Sequence, residues 1–552
     1  MMRSRPEAYP PHRHSGWHRR CYRTLDKSDG LLWGQCGELG NLSKSARKDG
    51  GGARSRRAVE VKRVEKAAAK VLPPLRILAV VAVVAWTFLL YFHFSVIGST
   101  VEVNHGDESA GPCRGRYIYM IDLPPRFNAD IVRDCGKTND HWEGMCAFMS
   151  NAGLGQPLAD DHTDGVITGE AGWYNTHQFS LDFIFHNRMK RYECLTKHTA
   201  EASAVFVPFY AGFDFARYHW GYDNATRDAA SVDLVALLTA RPQWRSMKGR
   251  DHFLIAGRTG WDFRRSGIDS PDWGTDLLVM PAVRNMSVLV LESTLKRGTD
   301  FSVPYPTYFH PRSDADVLRW QDRVRGRRRT WLMAFVGAPR PDVSMRMRVR
   351  DHVIAQCKAA PGACAMLGCA RAAGSPQCIA PANIMRLFQK ASFCLQPPGD
   401  SCTRRSVFDS MVAGCIPVFF HTGSAYKQYP WHLPRDDHLK YSVFIPMADV
   451  RERNVSIEAV LRAIPPATVR RMREEVIRLI PRVLYADPRS KLETIKDAFD
   501  VAVEGILDTV ARIKNGEQVR TGGPVEKDPP NLFAATASRF PPKGSSSRAA
   551  RW

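Results

Sequence analysis

ASFCLQPPGDSCTRRSVFDSMVAGCIPVFF, residues 391–420, is the stretch on which the reading of this chain turns. The apolar run 392–396 has strand composition, and Pro397-Pro398-Gly399-Asp400 makes a turn in which Gly399 can take backbone angles that other residues avoid. Ser401 or Thr403 then serves as N-cap for a helix running to Ala413, with Gly414 closing it and a buried strand, CIPVFF (415–420), beyond. The unit is strand, helix, strand, and in an open parallel sheet its ligand site lies outside the C-terminal strand end. Arg404 and Arg405 fall at the start of the helix, where the backbone dipole already repels a cation, so the pair predicts a bound anion. A nucleoside diphosphate resolves the conflict, with the guanidinium groups as forked donors. Asp409 follows Arg405 by one turn on the same face, where ribose hydroxyls would fall; a plain Arg405–Asp409 ion pair is the alternative.

Outward from this unit, short runs rich in β-branched and aromatic residues alternate with amphipathic stretches. The strand-like runs are GRYIYMIDLP (115–124), AVFVPFY (204–210), HFLIAG (252–257), DLLVMPAV (276–283) and TWLMAFVG (330–337). FSLDFIFHNRMKRYECL (179–195) and NIMRLFQKA (383–391) have helical spacing. The alternation predicts an α/β fold with parallel sheets covered on both faces. It is too long for one core, and the Pro-rich FSVPYPTYFHPRSDAD (301–316) reads as a linker between two doubly wound halves, 113–320 and 321–515. The second half carries C-terminal helices over 456–514, and 516–552 reads as a disordered tail.

A net charge of +22 over 552 residues raises nucleic acid as a partner, but 18 Lys and Arg against 7 Asp and Glu in residues 1–76 place half of it in an N-terminal tail. That tail reads as disordered and cytosolic. ILAVVAVVAWTFLLYFHFSVI (77–97) carries no formal charge and is long enough for one membrane span, and the basic flank before it puts everything after residue 100 in a lumen. The expected topology is a single-pass type II signal anchor with a stalk over 98–112, the tail serving topology and retention, with no nucleic acid bound. Eleven of the 13 cysteines then lie on the oxidising side and predict disulfides; 357–378 has no C-x-x-C and no nearby histidine pair, which argues against zinc. Asn224, Asn285 and Asn454 sit in glycosylation sequons on the lumenal side.

GRYIYMIDLPPRFN (115–128), WYNTHQFSLDFIFHNRM (173–189), AVFVPFYAGFDFARYHWGY (204–222), GRDHFLIAGRTGWDFRR (249–265), VPYPTYFHP (303–311), FVGAPRP (335–341) and PPGDSCTRRSVFDSMVAGCIPVFF (397–420) together resemble the exostosin family of glycosyltransferases (glycosyltransferase family 47), in particular its plant branch of xyloglucan galactosyltransferases. The resemblance runs in order over about 113–499. It implies a GT-B-like pair of Rossmann-type domains facing across a cleft, in a Golgi membrane enzyme that uses a UDP-sugar with inversion and without a bound metal. It further implies β-galactose transferred to xylosyl side chains of xyloglucan, in association with other Golgi glycosyltransferases. Galacturonosyl or arabinosyl transfer, or a glycan-binding protein without catalysis, are the alternatives. Cys402 departs from the family pattern, and a thiol there predicts pairing with Cys394 or Cys415.

Inverting transfer needs a base for the acceptor hydroxyl and positive charge for the departing diphosphate. Gly337 and Arg340, just after a strand, join Gly399, Asp400, Arg404, Arg405 and Asp409 as donor-binding candidates. Asp214, Asp262 and His177 are the base candidates, with Trp261, Trp273, Tyr218 and Trp220 as aromatic companions for sugar rings. Asp314-Ala-Asp316 matches a metal-binding pattern formally, but Ser313 and Asp316 make a helix-capping signature there.

Overall fold

The computed structural model describes residues 85–87, 113–137, 145–159, 166–167, 172–218, 222–265, 273–294, 298–339, 348–369, 380–434 and 436–519. The basic tail, most of the expected membrane span, the stalk up to residue 112 and the C-terminal tail from 520 onward lie outside them. Residues 85–87, taken by themselves, are helical and exposed. No helix among the described residues is long and apolar enough to cross a membrane.

Two wholly parallel sheets organise the rest. The first is built from β1 (Ile118–Met120), β2 (Leu195–Thr196), β3 (Ala204–Phe206), β4 (His252–Thr259), β5 (Ser287–Glu292) and β6 (Asp300–Ser302), in the order β2-β1-β3-β4-β5-β6. The second holds β7 (Trp331–Gly337), β8 (Cys364–Gly368), β9 (Ala391–Gln396), β10 (Ile416–Phe419) and β11 (Val443–Phe444), in the order β8-β7-β9-β10-β11. Counted within each sheet, both open with the same sequence: second strand, first, third, fourth, fifth. The helices used below are α1 (Leu181–Met189), α2 (Ala211–Arg217), α3 (Asp314–Gly326), α4 (Arg350–Ala359), α5 (Pro381–Gln389), α6 (Ser406–Val412), α7 (Pro466–Leu479) and α8 (Ala498–Lys514).

Every residue of β4 and β5 is buried, as a parallel strand covered on both faces requires. Alternate residues feed different cores: Phe253 and Ile255 of β4 join a cluster that also contains Phe335, Phe393 and Val418 of the second sheet, while Leu254 and Ala256 pack on the opposite face with Val288 and Val290. One apolar core thus runs through both halves. α8 extends it, since Phe499 lies 4.7 Å from Phe185 of α1, and Arg188 reaches Asp497 (3.4 Å) and Asp500 (3.5 Å) beside that contact.

Three expectations differ from the structure. DLLVMPAV is not a strand: Leu277–Val279 is a 3-10 turn, because Pro281 has no N–H for a ladder and Asp276 is held by Arg265 (3.1 Å). The strand comes later, at β5. The stretch expected as a linker is buried from 301 to 311, with the Tyr485 hydroxyl on Pro304 O (2.8 Å) and His310 Nδ1 on Tyr485 O (2.7 Å). Its apolar and aromatic content fills the core between the halves instead of spacing them. Cys135–Cys146, Cys357–Cys364 and Cys394–Cys415 form disulfides, and Cys113, Cys194 and Cys369 are also bonded. Because Cys394 and Cys415 bond each other across neighbouring strands, neither is available to Cys402, so the expected pairing is not formed. Asn224, Asn285 and Asn454 are all exposed.

The first sheet is pinned to α1 by Asp182, whose carboxylate accepts the N–H groups of Gly212 (3.1 Å) and Gly257 (3.0 Å). A Cβ at Gly257 would stand 2.9 Å from the Asp182 backbone nitrogen. Gly257→Ala is therefore expected to lower stability by about 1–3 kcal/mol through overpacking, read in denaturant unfolding; an unchanged midpoint contradicts the packing argument. Burial pushes the Asp182 carboxyl from 3.8 up to about 8. With the folded value above the unfolded one, its contribution to stability is complete below about pH 4 and lost as pH rises through about 8. The wild-type unfolding temperature should accordingly fall relative to that of Asp182→Asn between pH 5 and 9, and a constant difference would show that Asp182 does not titrate there.

Candidate active site

Strand order in the second sheet reverses between β7 and β9, and an open parallel sheet opens its ligand crevice at such a point. β7 ends at Gly337 and β9 at Gln396, so the loops after them meet there. Arg350, the first residue of α4, is buried beneath both: its Nη1 donates to Ala338 O (3.2 Å), and its guanidinium lies so close to Gly399 that a Cβ at that position would overlap Nη2. Arg404 Nη2 donates to Val336 O (3.4 Å), and a Cβ at Gly337 would stand 3.4 Å from the same nitrogen. Gly337, Gly399 and Arg404 thus come together, with Arg350 as a fourth member that the sequence reading missed. Asp400 is exposed on the turn. Arg340 lies outside the described residues.

The helix behind the loop departs from expectation. α6 spans only Ser406–Val412, with Arg405 at the N-cap position and no side-chain cap. Neither Ser401 nor Thr403 caps it, because the Ser401 hydroxyl is drawn to Glu292 Oε1 (2.8 Å) in the first half. Gly414 does close the helix, at φ +64. Arg404 and Arg405 consequently precede the first turn. Arg405 turns away from β7: its guanidinium stacks 3.6 Å over the Tyr308 ring, donates to Thr176 O (2.7 Å) and pairs with Asp409 (3.3 Å). The ion-pair alternative is therefore present, in a buried setting where desolvation raises the Asp409 carboxyl from 3.8 to about 6.

Glu292, at the end of β5, is the second residue the sequence reading missed. It is 4 % exposed and accepts from Tyr305 Oη (2.6 Å) and Ser401 Oγ (2.8 Å). Its signal was an acid closing the apolar run SVLVLE, a run that had not been read as a strand.

The base candidates of the first half are each held by a different set of partners. Asp262 accepts from Trp273 Nε1 (2.9 Å) and Thr259 Oγ1 (2.9 Å), with Arg258 Nε at 3.4 Å. Arg258 is itself held between the Phe179 and Phe215 rings, 4.1 and 4.4 Å from their centroids. Asp214, in the first turn of α2, pairs with Arg217. Burial raises both carboxyls above their ordinary range. His177 Nδ1 accepts the Phe179 N–H (3.2 Å), which in the neutral ring leaves the proton on Nε2 and makes that atom a donor. Trp261 stacks on Trp273 at 5.9 Å, and Tyr218 meets the exposed Tyr222 at 5.1 Å, so the aromatic companions form pairs beside Asp262 and α2. Trp220 lies outside the described residues. Asp316 completes a capping box with Ser313, as expected, and Asp314 accepts from Thr494 N (2.8 Å) and Glu493 N (3.0 Å). No cluster of potential metal ligands occurs among the described residues.

The arrangement offers guanidinium groups and close-approach glycines at a switch point, with carboxylates of the other half at neighbouring strand ends. That is the equipment for holding an anionic leaving group opposite a proton acceptor. Xyloglucan galactosyltransferase MUR3 of Arabidopsis thaliana is 55% identical over 74% of this chain and 64% of its own length, so the match spans less than two thirds of that relative. Probable xyloglucan galactosyltransferase GT12 of the same plant is 46% identical over 74% of this chain and 79% of its own. Xyloglucan-specific galacturonosyltransferase 1, also of Arabidopsis thaliana, is 35% identical over 75% and 60%. The exostosin GT47 domain matches residues 112–461, which takes in both sheets and the crevice of the second, and the chain belongs to this family of glycosyltransferases.

Proposed function

We propose that this protein transfers β-galactose from UDP-galactose to xylosyl side chains of xyloglucan, with inversion, from a GT-B-like cleft between its two halves. The carrying observation is the meeting of Arg404, Gly337, Gly399 and Arg350 at the crevice of the second sheet. In this reading the diphosphate lies along those loops, and guanidinium charge takes the place of a resident metal in stabilising the leaving group. Arg405 and Asp409 then hold the helix and the first half in register. The acceptor lies against the first half, where Asp214 and Asp262 stand near strand ends, and burial raises both carboxyls, which makes each a stronger proton acceptor when ionised. The paired Trp261 and Trp273 offer an aromatic face to a glucan chain. Galactose is preferred over galacturonic acid because relatives at 55% and 46% identity are named for galactosyl transfer, against 35% for the galacturonosyl relative.

The proposal includes a type II anchor in the Golgi membrane with residues after 100 in the lumen. It is supported by the uncharged run 77–97 behind a basic flank and by the disulfides beyond it. The purified protein, given UDP-galactose and galactose-free xyloglucan, should release UDP and yield a β-galactosyl-xylose linkage on product analysis, with rates maintained in EDTA. Arg404→Ala should raise KM for UDP-galactose about 10- to 100-fold, the loss of a charged hydrogen bond to phosphate. A fully active protein that transfers only another sugar overturns the donor assignment; binding of xyloglucan without UDP affinity or transfer replaces the enzyme with a glycan-binding protein.

A further inference from the structure

The loop that delivers Arg404 is fixed from outside its own sheet. Glu292 stands at the C-terminal end of β5, a strand paired on both sides, by β4 and by β6. Its carboxylate is steadied by Tyr305 Oη (2.6 Å), a residue of the buried crossing between the halves. From that position it takes the Ser401 hydroxyl (2.8 Å) and the backbone N–H of Thr403. Between those two residues, Cys402 O accepts from Ser424 Oγ (2.6 Å) on the side of the second half. Gly399 N closes the turn on Ser401 O (2.9 Å). Three successive residues are therefore tethered immediately before Arg404, two of them by a carboxylate that belongs to the opposite half. The Tyr429 hydroxyl on Leu291 O (2.8 Å) and Gln428 Oε1 on Ser293 N (2.9 Å) fasten the second half to the residues on either side of Glu292, so the carboxylate and the loop cannot drift apart.

An apolar residue at 292 would take the acceptor from the buried Tyr305 hydroxyl and the Thr403 N–H and release Ser401 to its other acceptor, Thr403 O (3.3 Å); a carboxylate holds all three donors and fixes their direction. We infer that Glu292 is a positioning residue for donor binding: held in the first sheet, it sets Ser401–Thr403 so that Arg404 faces the end of β7, where the diphosphate lies. This rests on the donor-site reading above. Glu292 acts through Ser401 and Thr403 and touches neither sugar nor acceptor. It also makes the phosphate-binding loop of one half dependent on a side chain of the other, so that the donor site is complete only when both halves are assembled.

The test compares the full-length wild type with Glu292→Ala, Glu292→Gln and Tyr305→Phe, measuring UDP affinity by calorimetry, KM for UDP-galactose, kcat and thermal unfolding. Glu292→Ala should weaken UDP and raise donor KM about 10- to 100-fold, with a smaller change in kcat at saturating donor. Glu292→Gln keeps an amide oxygen for Tyr305 and Ser401 and should recover most of the affinity, and Tyr305→Phe should fall between. Should the alanine variant not fold, the Gln and Phe variants carry the comparison. UDP affinity left intact while kcat collapses in Glu292→Gln would make Glu292 the base and overturn the inference. A lowered unfolding temperature with donor KM and UDP affinity unchanged would reduce it to a structural role, overturning it as well. Wild type that binds no UDP refutes the donor reading itself, before any variant is compared, and this inference with it.

Discussion

Two ionisable side chains exchanged between the halves hold this molecule in its working arrangement, and burial raises the Glu292 carboxyl to about 7. Glu292 reaches from the first sheet to the loop after β9, and Arg405 reaches from that loop's far end back to Thr176 O and the Tyr308 ring. Glu292 is buried and Arg405 half-buried, and a polar group drawn out of water persists only where partners replace that water. Each has one partner on its own half, Tyr305 for Glu292 and Asp409 for Arg405, and at least one on the opposite half, so the full set of partners exists only when both halves are in place. The shared apolar core works in the same direction, because Phe253 and Phe335 belong to one cluster although they sit in different sheets.

The same logic explains the density of buried ions elsewhere. Arg329 donates to Phe388 O, Ala391 O and Ala413 O, gathering the carbonyls at the ends of α5 and α6, where a cation is favoured by the dipoles. Burial nevertheless brings its guanidinium down to about 9. Arg188 is likewise sunk between α1 and the start of α8, over the Phe499 ring at 4.8 Å and beside Asp497 and Asp500. These are local solutions to desolvation, and they fasten helices that parallel sheets alone would leave free to slide.

What the sequence revealed and what it concealed follow from the range of the interactions. β4, β7, β9 and β10 were legible because a strand buried on both faces is written as a continuous apolar run. β2 and β11, two residues each, carry too little pattern to be seen. The capping box of α3 was legible because both its members lie within one turn. The start of α6 was not, since the hydroxyl expected to cap it bonds a carboxylate 109 residues away. Arg405 posed the same difficulty more sharply. Sequence placed a cation at a helix start and offered a bound anion or an Arg405–Asp409 ion pair; the fold contains that pair and adds what sequence could not show, a Tyr308 ring and a carbonyl 229 residues distant. Arg350 and Glu292 went unnoticed because nothing local distinguishes them from surface charge until two loops and two sheets converge.

The consequence for the crevice is rigidity at its back wall. Rotating one half away from the other would have to break His310 from Tyr485 O and Tyr485 from Pro304 O, both buried, and Gln428 from Ser293 and Glu292 from Ser401, both partly buried. Each such bond is worth about 1 kcal/mol when exchanged for water, and about 1–3 kcal/mol when its partner is left buried and unmet. Losing the four together therefore opposes a hinge more strongly than it opposes small movements of the loops themselves. On the proposed donor reading, a site assembled in this way would meet the leaving diphosphate with its dipoles and charges already oriented, which is the condition under which electrostatic stabilisation needs no reorganisation during reaction.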